Sequence, residues 1–425
     1  MGNFNSFEKT VLANGIRVLT ERVPGSRAVS VGIWVTAGSR DESYDLSGVS
    51  HFIEHMIFKG TENRTALDIA KTFDRLGGFS NAFTSKETTC FHAKVLDSHM
   101  DIIMDLLSDI FLNSVFDPME VERERQVILQ EISMMEDSPD ELVHEFFTKN
   151  FWKGNPVERS ILGDPDSVSR ITSESLKAQM KEFYTGNRVL ISASGNIDHD
   201  DLCQRVQNLF SNLGNGNHAK ERVAPTPNFG CFFRQKDLEQ THVLLGLPGP
   251  SSADPDKYKI LLMNVILGGS MSSRLFQEVR EKRGLAYAVY SFVSSLHDSG
   301  LVGIYAGVAP ENMVKAVSII KNEMEKLATD NVGDAEMQAA KDNVKGGLLL
   351  SAENTDARMS RIARNEIDLG QYVSYDEVVR EIDAVTARDI KQCAAKLLED
   401  GFAAAFVGPN QEDEVEKCQR MLRTG

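Results

Sequence analysis

Positive charge is scarce in this sequence. Of its 425 residues, 46 are Lys or Arg and 62 are Asp or Glu, which leaves a net charge of −16 at pH 7. This deficit argues against binding to nucleic acid or to anionic membrane surfaces, which attract basic proteins. It is compatible with basic substrates, although an acidic surface also serves solubility alone.

Cysteines and long apolar runs are few as well. The five cysteines are scattered and no two are separated by only two residues, which excludes a disulfide framework and a cysteine-based metal site. No apolar stretch is long enough to span a bilayer, and residues 1–22 lack the pattern of a secretory signal. We therefore expect a cytoplasmic protein without a membrane span.

Histidine is also rare, with 9 residues in 425, yet two histidines lie close together in residues 50–60. Apolar residues recur there at three- and four-residue intervals, which is typical of an amphipathic helix. Ser47 is the predicted N-cap, and Lys59 followed by Gly60 is a typical end signal. The apolar positions of this helix are Val49, Phe52, Ile53, Met56 and Ile57.

The polar face of this predicted helix carries His51, Glu54 and His55. Because the two histidines are four residues apart, their imidazoles lie on one face and can share a tetrahedral zinc ion. Glu54 lies beside them and can accept a proton from a water on the metal. The alternative is a solvated polar face without a metal. The complete order His-x-x-Glu-His, an inverted zinc-protease motif, favours the metal.

A second predicted helix, at residues 117–135, supplies candidates for a third metal ligand. Glu124 and Glu131 lie seven residues apart on or beside its apolar stripe, whereas Glu122 and Glu136 point outward. An inward carboxylate is unfavourable unless it is paired or bound to a metal, and the alternative partner is an inward Arg. With a histidine pair that lacks a ligand, we predict that Glu131 binds the metal and that Glu124 supports the site.

The second half of the chain repeats the first at an interval of about 210 residues, which predicts a duplicated domain rather than a solenoid. At the place of the histidine helix, the second half has residues 259–265, which contain neither His nor Glu. The paired segments are residues 29–34 and 242–247, 74–83 and 281–290, 98–112 and 310–327, 173–183 and 387–398, and 189–194 and 402–407.

A segment rich in Gly, Asn and Pro separates the two halves. The predicted organisation is a catalytic zinc-binding domain at residues 1–213, a linker at 214–230, and a homologous domain without the zinc motif at 231–425.

The spacing of these motifs resembles that of the pitrilysin or insulinase family of zinc peptidases. His51, Glu54 and His55 are followed by Glu131, 76 residues after His55. The resemblance covers residues 11–408, and the most similar branch is that of mitochondrial processing peptidase-like proteins with one two-domain unit per chain. The resemblance implies that His51, His55 and Glu131 bind zinc and that Glu54 is the general base.

Other positions take their expected roles from the resemblance alone. Asn81, Ala82 and Phe83 resemble an edge strand that pairs with the substrate backbone, a case of β-augmentation. Arg280 and Tyr287 resemble a segment of the second domain whose side chains reach substrate and transition state. Glu124 matches the residue that supports the third ligand in this family.

The resemblance also implies a fold and an assembly. We expect an α+β fold of two homologous domains, each a largely antiparallel sheet with helices packed on one face, enclosing a chamber. A homodimer, or a heterodimer with an inactive homologue, would complete that chamber. Substrates would be peptides or unfolded protein segments that can add a strand.

Two functions from different classes follow from these observations. The first is a zinc-dependent endopeptidase, and the second is a non-catalytic partner or scaffold subunit of a processing-peptidase-like complex. A weaker third hypothesis is a zinc hydrolase of a non-peptide amide. The complete motif favours the endopeptidase, because inactive relatives typically lose members of it.

Overall fold

Two β-sheets, each with helices packed against it, make up the protein. The computed structural model describes residues 7–216 and 221–422. The strands are β1 (Phe7–Val11), β2 (Arg17–Arg22), β3 (Ala28–Val35), β4 (Phe79–Thr84), β5 (Thr89–Leu96), β6 (Val189–Gly195), β7 (Cys231–Gln235), β8 (Thr241–Pro248), β9 (Ala286–Ser295), β10 (Gly300–Val308) and β11 (Ala403–Gly408).

Most helices come in two uninterrupted runs, one between β5 and β6 and the other between β10 and β11. The helices are α1 (Val49–Met56), α2 (Ala66–Leu76), α3 (Met100–Asn113), α4 (Pro118–Asp137), α5 (Pro139–Phe151), α6 (Pro165–Arg170), α7 (Ser173–Phe183), α8 (His199–Leu209), α9 (Lys257–Leu267), α10 (Met313–Thr329), α11 (Asp334–Ser351), α12 (Thr355–Leu369), α13 (Tyr375–Ala384), α14 (Ala387–Leu398) and α15 (Glu412–Leu422).

Five strands of the first sheet, β2-β6-β3-β5-β4, follow the same order as the five strands of the second, and β1 is an extra edge strand of the first; this agrees with a duplicated sequence. The first runs β1-β2-β6-β3-β5-β4 and the second β7-β11-β8-β10-β9. Strands β2 and β6 pair in parallel, as do β7 and β11, and the other neighbours are antiparallel. The predicted α+β fold with two largely antiparallel sheets is confirmed.

Local sequence signals explain several element boundaries. Helix α2 begins after Thr65, whose hydroxyl accepts the N–H of Asp68, and ends at Gly77 in the left-handed region with φ of 60°. Side-chain caps of this kind satisfy N–H groups that have no partner within the helix. Thr172 and Thr386 cap α7 and α14 in the same way.

Two compact units divide the described residues, and each combines parts of both sequence halves. Among the described residues, the first unit contains 7–133, 159–216, 221–222 and 350–373, and the second contains 134–158, 223–349 and 374–422. Helix α12 therefore belongs to the first unit and α5 to the second. The predicted division at residues 214–230 separates the two sheets. It does not separate the two units, because α5 precedes the linker but belongs to the second unit, and α12 follows the linker but belongs to the first. Residues 217–220 of that linker lie outside the described part of the chain.

In the first unit, one face of the sheet carries the main core and the other face carries α12. Buried Val31 and Ile33 of β3 belong to the same cluster as Phe52 of α1 and Ile128 of α4. On the opposite face, Met359, Ile362 and Ala363 of α12 pack against Leu19, Trp34, Cys90 and Leu190.

A buried ion pair accompanies the packing of α12. Arg358 Nη1 donates to Glu21 Oε1 at 2.8 Å, and the two side chains are 6% and 0% exposed. A buried carboxylate without such a partner would be strongly destabilising. This pair therefore requires α12 to occupy this face of the sheet.

In the second unit, α5 covers the face of the sheet opposite the main core. Its residues Leu142, Val143, Phe147 and Phe151 cluster with Leu244, Tyr305 and Ala405 of the strands. The prediction of helices on one face of each sheet is therefore incomplete. In both units, a helix from the other sequence half lies on the second face of the sheet.

Among the residues that the structure describes, no helix is both long and apolar enough to cross a membrane.

Candidate metal centre

Helix α1 holds the histidine motif, and Glu42 caps its N-terminus. The two carboxylate oxygens of Glu42 accept the N–H groups of Gly48 and Ser50, each at 2.8 Å. Gly48 has a φ of 92°, and a Cβ there would lie 2.6 Å from the carbonyl oxygen of Leu162, so this position requires glycine. The predicted cap at Ser47 is therefore wrong.

The motif residues of α1 are largely buried. His51 is 9% exposed, and its ring centroid lies 4.6 Å from that of His55. The alternative interpretation of a solvated polar face is therefore excluded. Burial, together with the smaller effect of the neighbouring His55, lowers the pKa of His51 to about 4. His51 is consequently a neutral imidazole near neutral pH, the form that binds a metal.

Helix α4 brings Glu131 to the two histidines. Its Oε2 lies 3.7 Å from His51 Nε2 and 3.5 Å from His55 Nε2. One ligand atom from each residue lies within 4.8 Å of the others. Ligand atoms about 2.05 Å from a tetrahedral zinc are about 3.4 Å apart. The donor set and its spacing thus fit a zinc ion with three protein ligands and one open position.

Glu124 contacts the second nitrogen of His55. Glu124 is 8% exposed, and its Oε2 lies 3.1 Å from His55 Nδ1. Its other oxygen meets Lys59 Nζ at 2.5 Å. A carboxylate on the Nδ1–H of a histidine turns the lone pair of Nε2 towards a metal. Glu122 is exposed and pairs with Arg125 on the same helix instead.

Glu54 lies on the side of α1 that faces β4. Its Oε2 accepts a hydrogen bond from the Thr84 hydroxyl at 2.7 Å. Burial raises the pKa of Glu54, while the hydrogen bonds from Thr84 and the charge of His55 oppose that rise. Glu54 is therefore a carboxylate in a partly buried environment, and its Oε2 accepts a hydrogen bond from Thr84.

Strand β4 is an edge strand of the first sheet, and it contains the three residues predicted to bind substrate. Asn81 is exposed, and its Oδ1 accepts the N–H of Ala82 at 2.9 Å. Ala82 belongs to the buried core next to α1. The ring of Phe83 packs edge-on against Trp34 at 5.5 Å. The edge position fits β-augmentation, with Asn81 as the most accessible of the three.

Arg280 and Tyr287 belong to the second unit. Arg280 lies in a π-helical segment, Phe276–Glu281, and Tyr287 is the second residue of β9. The guanidinium of Arg280 lies over the Tyr287 ring at 4.8 Å, and Tyr287 is 79% exposed. The structure thus brings these two residues together, and their predicted roles stay predictions.

Sequence reasoning missed three contributors to this site. These are Thr84, which follows the three residues of the predicted substrate strand, Lys59, which was interpreted only as a helix end, and Glu42, which had no predicted role. The alternation of side chains in a strand could have placed Thr84 on the same face as Ala82. No local pattern points to Glu42, because it caps a helix that begins several residues later.

Two family models match consecutive parts of this chain. The model described as Insulinase (Peptidase family M16) matches residues 17–165, and the one described as Peptidase M16 inactive domain matches residues 170–344. The chain belongs to peptidase family M16. The M16 match at 17–165 contains all the residues brought together around His51 and His55. The resemblance to the insulinase family is confirmed, and the processing peptidase-like branch stays a prediction.

Curated relatives match nearly the whole M16 chain. An uncharacterized zinc protease of Bacillus subtilis is 39% identical over 397 residues, which cover 93% of this chain and 97% of the relative. An uncharacterized zinc protease of Mycobacterium tuberculosis is 39% identical over 410 residues, 95% of this chain and 93% of the relative. One from Rickettsia felis is 38% identical over 407 residues, 95% and 98% of the two chains.

Solved structures share the fold of this M16 chain at lower identity. A protease from Helicobacter pylori superposes with a TM-score of 0.87 at 22% identity, covering 95% of this chain and 99% of that one. A peptidase M16 inactive domain from Pseudomonas fluorescens gives 0.89 at 22% identity, covering 95% and 98%. These likenesses concern the fold alone, and they support the two-unit architecture.

Proposed function

We propose that this chain is a zinc-dependent endopeptidase that cleaves peptides or unfolded polypeptide segments. The observation that carries the proposal is the convergence of His51 Nε2, His55 Nε2 and Glu131 Oε2 at a spacing suited to tetrahedral zinc. The names of the relatives as zinc proteases support it.

His51, His55 and Glu131 would hold the metal, and Glu124 would fix the ring of His55. When bound there, zinc would acidify a coordinated water and polarise the scissile carbonyl. His51 is neutral and can therefore bind a metal ion, and the Glu124 carboxylate fixes the orientation of the His55 ring. Both histidines direct Nε2 towards Glu131 Oε2.

Glu54 would move the proton in this reaction. Its Oε2 is held by Thr84, which leaves Oε1 to accept a proton from the attacking water. The same atom would then deliver that proton to the leaving amine nitrogen. A positioned general base of this kind contributes typically ~10²–10⁴-fold to the rate.

Strand β4 would bind the substrate in an extended conformation. Added to this edge, a peptide would exchange main-chain hydrogen bonds near Asn81, Ala82 and Phe83. Only segments with exposed backbone can do so, which selects peptides and unfolded regions. Arg280 and Tyr287 would contact the substrate and the developing oxyanion.

The assembly we propose is a homodimer, with a heterodimer containing an inactive homologue as the alternative. Five scattered thiols, all free among the described residues, give no basis for a covalent link. Native mass determination with and without reductant tests this proposal. A monomer with full peptidase activity would contradict it.

The function is tested by zinc stoichiometry and by cleavage of an unstructured peptide library with the same preparation. We expect about one zinc per chain, and loss of both zinc and cleavage in His55→Ala. His297→Ala, which removes an exposed histidine of the second unit, is the matched control and should retain both. Bound zinc without cleavage would favour the non-catalytic partner, and full zinc content in His55→Ala would place the metal elsewhere.

A further inference from the structure

Thr84 connects the edge strand to the proposed base. It is the last residue of β4, and its hydroxyl donates to Glu54 Oε2 at 2.7 Å. A hydrogen bond to a carboxylate is charge-assisted and therefore directional and strong. It restricts the side-chain rotation that would otherwise let Glu54 turn away from the reacting atoms.

The position of Thr84 is itself fixed by a tight turn. Thr84 pairs with Thr89 of β5, and Ser85 N–H donates to the carbonyl of Thr88 at 2.8 Å. The buried hydroxyl of Thr89 in turn donates to the carbonyl of Ala37 at 3.0 Å. The donor that meets Glu54 is thus attached to a rigid strand end and not to a mobile loop.

The face of β4 that meets α1 carries two side chains of interest. Side chains alternate across a strand, so Ala82 and Thr84 share this face while Asn81 and Phe83 share the other. Ala82 is buried in the core next to α1, whereas Thr84 adds a hydroxyl at the position opposite Glu54. The strand predicted to bind peptide backbone therefore also holds the base.

We propose that Thr84 is a positioning residue that aligns the Glu54 carboxylate for proton transfer and couples peptide docking on β4 to that alignment. This inference rests on the proposed endopeptidase function. Thr84 acts through Glu54 and has no role in metal binding. The effect of peptide pairing on β4 would be transmitted to the base through the Thr84 hydroxyl.

The test compares variants that separate the hydroxyl from the shape of the side chain. Thr84→Val keeps the β-branched shape and removes the donor, and Thr84→Ser keeps the donor. We expect Thr84→Val to lower kcat about 10- to 100-fold, the range for a misaligned reacting group, with KM and zinc content close to wild type. Thr84→Ser should recover most of the loss. Thr226→Val, at an exposed threonine outside this turn, should leave kcat unchanged.

A double-mutant cycle shows whether Thr84 acts through Glu54. In a Glu54→Ala background, Thr84→Val should cause no further loss of residual turnover. In metal-free protein, Thr84→Val should lower Tm in wild type and lower it less in the Glu54→Ala background. The Tm cycle decides the matter if the residual turnover is too slow to measure. If Thr84→Val does not fold, Thr84→Ala carries the same comparisons.

Several outcomes overturn the inference. The first is a wild-type kcat in Thr84→Val, and the second is a Thr84→Ser variant as slow as Thr84→Val. The third is a Thr84→Val substitution that lowers turnover, or Tm, equally in wild type and in the Glu54→Ala background. If wild type cleaves peptides and Thr84→Val cleaves them equally well, only the role of Thr84 fails. If zinc-loaded wild type cleaves no peptide, the proposed function fails and the inference fails with it.

Discussion

His55 Nδ1 lies 3.1 Å from Oε2 of Glu124, so a buried carboxylate fixes the orientation of this imidazole ring. The other oxygen of Glu124 pairs with Lys59. Glu124 of α4 thus contacts Lys59, just beyond the end of α1, with one oxygen and His55 Nδ1 with the other. His55 Nε2, on the opposite side of the ring, is the atom proposed to bind the metal. A carboxylate in this place fixes the tautomer and the ring orientation of a ligating histidine.

Glu124→Gln should weaken zinc binding about 10- to 100-fold, the range seen when the partner of a ligating histidine is lost. Gln keeps the size of the side chain but loses the charge that acts on His55. Competition with a chelator of known affinity measures the effect. Glu122→Gln removes an exposed charge from the same helix and should bind zinc as wild type does. Equal affinities in the two variants would show that Glu124 is only a packing residue.

Glu54→Gln should separate metal binding from chemistry. Gln is nearly isosteric and can still accept the Thr84 hydrogen bond, but it cannot take a proton at neutral pH. We expect kcat to fall at least ~10²–10⁴-fold, while zinc content and peptide affinity stay near wild type. Zinc analysis, peptide binding and single-turnover cleavage on one preparation measure all three. Loss of zinc would make Glu54 a ligand, and wild-type cleavage would remove the helix from catalysis.

Tyr287→Phe should lower kcat by up to about 10²-fold if its hydroxyl donates to the developing oxyanion. The ring remains, so its contact with the Arg280 guanidinium at 4.8 Å is kept, and zinc content should not change. Steady-state kinetics on a defined peptide measures the effect. Tyr44→Phe changes a similarly exposed tyrosine of the first unit and serves as control. Unchanged turnover would reduce Tyr287 to a surface residue.

Stability should depend on pH through Glu42. Burial raises its pKa to about 7 from an ordinary value of 4.5. Between these values the folded chain keeps the proton and the unfolded chain has lost it, so the free energy of unfolding falls as pH rises through this window. The full change is on the order of 3 kcal/mol.

Denaturant unfolding of wild type and Glu42→Gln between pH 4.5 and 8 tests this dependence. Gln supplies one acceptor for two N–H groups, so the variant starts less stable, but its disadvantage should shrink as pH rises. Glu62→Gln, at an exposed acid, should show a constant difference from wild type. A constant difference for Glu42→Gln would mean that the carboxyl is ionised throughout.

Much of the local structure was predictable because its signals lie within a few residues of each other. The bounds of helix α2 are marked in the sequence by Thr65 at its start and Gly77 at its end. The predicted ligands also depend on local spacing, since residues four or seven apart share a helix face. The duplication was recognisable from paired segments, and the matching strand orders agree with it.

What the sequence did not reveal depends on contacts distant along the chain. The exchange of α5 and α12 was not predictable, because an amphipathic pattern shows that a helix packs but not on which sheet. The end of α1 at Met56, before the expected signal at Lys59 and Gly60, is another example. The segment after the helix forms a bridge between Thr61 and Ser114, a contact of residues far apart in the sequence that no local pattern indicates.

The exchange of α5 and α12 means that neither half of the chain contains all the parts of one unit. Each sheet needs a helix that is encoded in the other half to cover Trp34 and Leu190 on one side, or Leu244 and Ala405 on the other. A break within residues 214–230 would leave two fragments that each hold a piece of the other's core. The halves should therefore work as a split protein, inactive when produced singly and reconstituted when produced together.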